Sequence, residues 1–152
     1  MSKDEWEFWT SGEAEEKLDE HVRDILVGYA RKNLTAIQGR LHLIDHETEF
    51  LPGIHAIRAP GHTPGHMALA ITSEGEQLLC FSDVVLHPIH LEHPEWHAVV
   101  DLDPKQVETT RRKILERVVA EKAQVLVFHF PFPGLGHVRQ KADTWQWQPI
   151  IT

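Results

Sequence analysis

Two histidines four residues apart, His62 and His66, stand in "APGHTPGH" among Pro60, Gly61, Pro64 and Gly65, and an apolar run, "MALAI", follows almost at once. Imidazole is the commonest metal ligand in proteins, and a proline-braced loop loses less chain entropy when it is ordered. Asp83 follows the apolar run "LLCFS", and His129 follows "VLVF". With His62, these residues fall just past the carboxyl ends of predicted strands, where α/β proteins gather their ligands. His nitrogen and Asp oxygen both suit zinc, at roughly 2 Å. Each also has a plainer reading: a loop histidine is often a surface or capping group, and Asp83 can close a strand end. Covalent catalysis has little support. There is no Gly-x-Ser-x-Gly elbow, and the single cysteine, Cys80, lies within an apolar strand run and reads as a core residue.

The elements that position these residues are legible in outline. Ser2 with Glu5 has capping-box spacing and predicts a short helix from about Lys3. Leu18, Val22, Ile25, Leu26 and Tyr29 repeat at helical spacing and predict the core stripe of a helix over about 14–37, ending near Gly39. "RLHLI", "TEFLPGIHAIRA", "HMALAITS" and "EQLLCFSDVV" read as strands, the last two joined by a turn at "SEGE". "HPIHLEHPEWH" reads as a loop broken by Pro88 and Pro94. Asp103-Pro104 opens a second long helix, as N-cap and first helical residue, with Val107, Ile114, Leu115, Val118 and Val119 as its core face. "AQVLVF" is a buried-type strand, "HFPFPGLGH" a loop, and "TWQWQPI" a last strand. Neither internal repeats nor a low-complexity linker is visible.

Composition narrows the function classes. With 152 residues, 41% hydrophobic and 25% charged, the chain has the size and balance of one globular domain. No apolar stretch approaches the roughly 20 residues that span a bilayer, so no membrane partner is expected. A formal net charge of -8 argues against nucleic acid. Arg111, Arg112, Lys113 and Arg117 share their predicted helix with Glu108, Glu116 and Glu121, and read as a solvated face. One cysteine excludes a disulfide framework, and no secretory signal is visible at "MSKDEWEFW", so a cytoplasmic setting is the default. The unusual feature is 12 histidines.

Taken in order, "APGHTPGH", "FSDVV", a long helix and "VFHFPFPGLGH" resemble the C-terminal half of the metallo-β-lactamase superfamily. Within it, "HFPFPGLGH" is most similar to the methyl parathion hydrolase branch, near the quorum-quenching lactonases. The resemblance runs from about Leu41 to the end, and more loosely through the N-terminal helices. It implies an α/β (α+β) fold: half of an αββα sandwich, a mixed sheet with flanking helices, forming one partial domain over 1–152. It also implies that His62 is a ligand to one metal, Asp83 the bridging and catalytic carboxylate, and His129 a ligand to a second metal. Gly61, Pro64 and Gly65 would then shape the loop around His62, and His66, which opens the next strand, would support or pack. The implied chemistry is hydrolysis of a small-molecule ester, lactone or phosphotriester by a metal-bound hydroxide, with zinc as the default and manganese, iron or cobalt as substitutes.

One family signature, His-x-His-x-Asp-His, is absent. Asp45-His46 is the sole Asp-His pair, and Leu41 and Leu43 precede it where histidines would stand. His62 with Asp83, and His129 with Asp83, leave each ion short of the three protein ligands usual at catalytic zinc. The expectation is a chain that starts after the missing motif, either a catalytically incompetent fragment or a subunit of a split enzyme. An uncovered apolar surface would favour a homo-oligomer or the missing N-terminal half as partner. The loop bearing His87, His90, His93 and His97 follows Asp83 and is expected to line the approach to the site.

Overall fold

The computed structural model describes residues 1–150 of the chain. From Thr48 onward, short apolar runs alternate with turn residues, and most of the runs become strands. Strands β1 (Thr48–Leu51) and β2 (Ile54–Arg58) turn at Pro52-Gly53, and β3 (Met67–Ser73) and β4 (Glu76–Cys80) turn at Glu74-Gly75. Both residues of the second turn have positive φ, 52° and 84°, the left-handed conformation that tight two-residue hairpins need. After a crossover come β5 (Gln124–Leu126), β6 (Leu135–Lys141) and β7 (Thr144–Pro149). The seven strands form one sheet in sequence order. Every neighbouring pair is antiparallel except β4 and β5, which run parallel. The sheet is therefore mixed, as expected. A parallel pair needs a long crossover, and this one carries Asp83, a short helix α4 (Ile89–Glu92) and the long helix α5 (Pro104–Glu121).

Register assigns the two faces of the sheet. Ile57 pairs with Ala68, Ala70 with Leu79, and Leu79 with Val125. These side chains are buried in one cluster with Leu91 of α4 and Ile114, Leu115 and Val118 of α5. Helix α5 is capped as anticipated, with Asp103 accepting from the Gln106 N–H. On the other face, Ile54 pairs with Ile71, which pairs with Leu78, and Leu69 pairs with Cys80, which pairs with Leu126. These side chains are only half-buried. The sheet is dry on its helical side and lacks a second layer, among the described residues, over most of its other side. A cavity of about 650 Å³ opens there, lined by Met1, Ile44, Leu51, Ala56, Leu69 and His66 among others.

Several elements differ from expectation. The N-terminal helical region is three helices, α1 (Lys3–Ser11), α2 (Glu13–Lys17) and α3 (Glu20–Ile37), because Leu18 turns to extended φ/ψ and Asp19 caps the next helix by accepting from the His21 N–H. The stripe Val22, Ile25, Leu26 and Tyr29 is exposed at 42–64%, and α3 instead buries Val27 and Leu34. "RLHLI" is not a strand: Arg40 ends a 3-10 turn (Gln38–Arg40), and Ile44 makes a single parallel bridge to Ser2. The predicted "GLGH" loop is the start of β6, and the histidine-rich loop contains α4. Cys80 sits on the half-covered sheet face and not in the core. Arg111, read as part of a solvated face, has no exposed surface. Its guanidinium donates to the carbonyls of Val84 and Pro94, each at 2.9 Å, and to that of Trp96. The other helix cations named with it stay outside, with Arg112 and Arg117 paired to Glu108 and Glu121 one turn away.

Candidate metal centre

The loop that carries His62 is shaped by two close approaches. At Gly61 φ is 133°, and a Cβ would lie 2.5 Å from the Val107 amide nitrogen of α5. At Gly65 a Cβ would lie 2.0 Å from the Glu5 nitrogen and 2.3 Å from the Ser2 hydroxyl. The start of α1 therefore rests directly on the loop. Ser2 Oγ accepts from the Glu5 N–H at 3.1 Å and donates to the Gly65 carbonyl at 2.6 Å. The Glu5 carboxylate accepts from Thr63 Oγ1 at 2.6 Å and from the Gly65 N–H at 3.2 Å. The Glu5 side chain of the predicted capping box is thus diverted to hold the loop.

Asp83 follows β4 in a 3-10 turn. Ser82 has φ 49°, and Asp83 itself takes the bridge conformation at φ -95°, ψ 17°. These sparsely populated angles aim the Asp83 carboxylate along the end of the sheet. His129 follows β5 within a tight turn closed by the Phe130 N–H donating to the Val127 carbonyl at 3.1 Å. Its ring lies against Phe128, with centroids 4.1 Å apart. Asp83 Oδ1 and His129 Nε2 meet at 2.9 Å across the β4–β5 pair. His66 and His129 beside the Asp83 carboxyl hold its pKa down to about 2, against the cost of partial burial.

His66 Nδ1 lies 2.9 Å from the Ala59 carbonyl, and its Nε2 lies 3.1 Å from the Asp83 backbone N–H. A neutral ring protonated at Nδ1 satisfies both contacts. Oδ2 of Asp83 is farther from Nε2, at 3.6 Å, so the backbone contact is the better formed. Both ring nitrogens are committed to backbone groups. The His62 ring is 5.7 Å from that of His66, centroid to centroid. Its Nδ1 lies 2.9 Å from Asp101 Oδ1, and the Asp101 side chain is fully buried. That contact raises the His62 pKa against the opposing effect of burial. For Asp101, burial pushes the carboxyl up, but His62 and the Ala98 N–H outweigh it and hold the pKa below the usual value. Sequence reading missed Asp101, because "VVDLDP" offers only a helix cap at Asp103 and no spacing that ties Asp101 to His62.

The three sequence-derived donors thus lie at one end of the sheet. Asp83 and His129 are in contact, and His62 reaches the pair through His66. The members of the histidine-rich loop divide: His90 is buried, while His87 and His97 are exposed. Burial and the neighbouring Arg111 push the His90 pKa down to about 4.

A mixed sheet covered by helices on one face, with His and Asp side chains past the ends of its strands, is one layer of an α/β fold. Solved structures agree. AidC, a dizinc quorum-quenching lactonase in complex with the product N-hexanoyl-L-homoserine, superposes with a TM-score of 0.88 at 28% identity, covering 100% of this chain and 54% of its own. AbOPH, a hydrolase in the β-lactamase superfamily, gives 0.87 at 27% identity, covering 99% and 54%. A probable metal-dependent hydrolase from Staphylococcus aureus shares the fold at 0.57 and 20% identity, covering 76% of this chain and 42% of its own. No family model matches the chain, and no curated protein matches it. The chain carries the metallo-β-lactamase-superfamily fold, corresponding to its C-terminal half, and spans about half the length of the first two of these structures.

A divalent metal fits these residues in type. Two donors on one tetrahedral ion, each at about 2.1 Å, stand roughly 3.4 Å apart; the 2.9 Å contact between Asp83 and His129 is a hydrogen bond with the proton on His129 Nε2, which an ion would replace. His62 Nε2 carries no hydrogen bond among the described residues, its Nδ1 being taken by Asp101. The donors supply a share of a site and not the whole. Among the described residues no group of three or more His, Cys, Asp or Glu side chains is gathered closely enough to hold an ion. No described helix is long and apolar enough to cross a membrane.

Proposed function

We propose that the chain contributes to a metal-dependent hydrolase that acts on a small-molecule ester, lactone or phosphotriester. The meeting of Asp83 and His129 across the β4–β5 pair, with His62 close by, carries this reading. Divalent metal ions, when bound, would acidify a water and polarise the scissile oxygen. His62 would hold one ion, His129 a second, and Asp83 both. His66, already saturated by backbone groups, would keep the Asp83 turn in place. Zinc is the default, supported by the dizinc lactonase among the similar structures, with manganese, iron or cobalt as substitutes. A cytoplasmic setting goes with the single cysteine, and a single, partial domain over 1–152 goes with the one sheet.

A second reading is favoured by the donor count and by the half-covered sheet face. In it the chain alone is catalytically incompetent and acts with a homo-oligomeric partner or with a complementary layer bearing further histidines. Loss of transition-state charge stabilisation by roughly 4 kcal/mol slows a reaction about a thousandfold. The test is metal analysis with ester, lactone and phosphotriester assays. The chain is measured alone and with a polypeptide carrying His-x-His-x-Asp-His, each also with His62→Ala, Asp83→Asn and His129→Ala. Metal content that falls in all three variants supports the site. Metal content indifferent to all three sinks the metallo-hydrolase reading, and full activity of the chain alone sinks the second.

A further inference from the structure

We infer that Asp101 is a positioning residue that fixes the His62 ring in one tautomer, with Nδ1 protonated and Nε2 bare toward the metal edge. The inference rests on the reading of His62 as a ligand and adds the residue that makes it one. A neutral imidazole coordinates through a nitrogen that carries no proton, so a loop histidine free to exchange tautomers presents the correct nitrogen only part of the time. Here Nδ1 lies 2.9 Å from Asp101 Oδ1, and the Asp101 side chain is fully buried. A carboxylate can only accept, so it draws the ring proton to Nδ1.

The carboxylate is itself held. Its Oδ2 accepts from the Ala98 N–H at 2.8 Å, closing the turn that ends in Asp101. The same turn is tied back to the His62 loop, with the Leu102 N–H donating to the His62 carbonyl at 3.3 Å and the Asp103 N–H to the Gly61 carbonyl at 2.9 Å. Ring, carboxylate and both backbones therefore form one closed set of contacts. Partners of this kind behind a metal-bound histidine orient the ring and raise its basicity, and losing one costs about 10–100-fold in metal affinity.

Asp101→Asn separates positioning from simple structure. The single carbonyl oxygen of Asn can still accept from Ala98, which keeps the turn. Its NH2 then faces His62 Nδ1 and donates to it, which moves the ring proton to Nε2 and blocks that nitrogen. The experiment uses the full chain without metal, at a pH that keeps the ring neutral. Two-bond 15N–1H correlations of the His62 ring are recorded and assigned with His62→Gln, followed by zinc and cadmium titration. The expected result is an Nδ1–H ring in the parent chain, an Nε2–H ring in Asp101→Asn, and at least a tenfold loss of cadmium affinity in that variant. An Nε2–H ring in the parent chain overturns the inference, and this measurement stands even if the variant does not fold. A variant unchanged in both tautomer and affinity overturns it too. If the parent ring is Nδ1–H but metal leaves its resonances unmoved even with the polypeptide carrying His-x-His-x-Asp-His present, the ligand reading of His62 falls instead.

Discussion

Arg111→Met removes a guanidinium that has no exposed surface. The residue ties helix α5 to three carbonyls of the crossover, those of Val84, Pro94 and Trp96. Hydrogen bonds to a charged group contribute about 1.5–3 kcal/mol each. The desolvation cost of burying the guanidinium offsets much of that sum, and Met refills part of the volume. Each buried carbonyl left without a donor costs about 1–3 kcal/mol, and with three of them a net loss of about 3–5 kcal/mol is expected here. Against a total of about 5–15 kcal/mol for an ordinary domain, the variant sits near the edge of stability. Urea denaturation of parent and variant, compared at equal m-value, measures the loss. Hydrogen exchange should localise it to residues 84–101, because those carbonyls lose their anchor. Arg111→Lys should recover part of the stability, since one ammonium can reach some but not all of three fixed carbonyls. A loss below about 1 kcal/mol, or exchange that rises uniformly over the chain, would refute the reasoning.

His90 makes stability depend on acid. Its folded pKa of about 4 lies below the ordinary 6.5 because burial and Arg111 disfavour the charged ring. The unfolded chain therefore takes up the proton first. The contribution is complete above 6.5 and lost as pH falls toward 4, by at most about 3 kcal/mol; thermal melts should flatten over that window in His90→Gln, and unchanged pH dependence would argue against it. Asp83, held at about 2, titrates below the window. Gly65→Ala should push the Glu5 backbone away, because its Cβ would arrive 2.0 Å from that nitrogen; limited proteolysis should then cut within residues 1–11 at least tenfold faster, and parent-like resistance would contradict the close approach.

The placement of the candidate site residues was legible because it is local. His62, Asp83 and His129 each follow a strand, and strand runs with their turn residues are read directly from short segments. Helix α5 was legible for the same reason, through its cap and apolar spacing. Arg111 was overlooked although it falls four residues after Val107 and three before Ile114, on the stripe itself; position on the stripe outweighed charge, since three backbone carbonyls were there to receive it. The α3 stripe failed in the opposite sense. Periodicity identifies an apolar face but not what covers it, and among the described residues nothing covers Val22, Ile25 or Tyr29. Asp101 was out of reach because its role depends on a contact between residues 39 positions apart. Strand β6 was hidden by glycine and proline, which usually mark loops but here enter a strand at Leu135.

The sheet is assembled from two meanders, β1 to β4 and β5 to β7, each built from neighbours in sequence. They join at one parallel seam of three residue pairs, between strands separated by the whole crossover. Such a junction closes late in folding, because the entropy of the intervening chain is lost before its contacts form. His62 lies within the first meander, Asp83 just past its end, and His129 within the second. An ion shared by Asp83 and His129 would therefore act as a clasp on the seam. At a free concentration of about 100 times its dissociation constant it would add about 2.7 kcal/mol to the folded state. The proposed metal ligands and the fastening of the sheet would then be the same atoms, and stripping the ion would loosen the architecture at the seam itself.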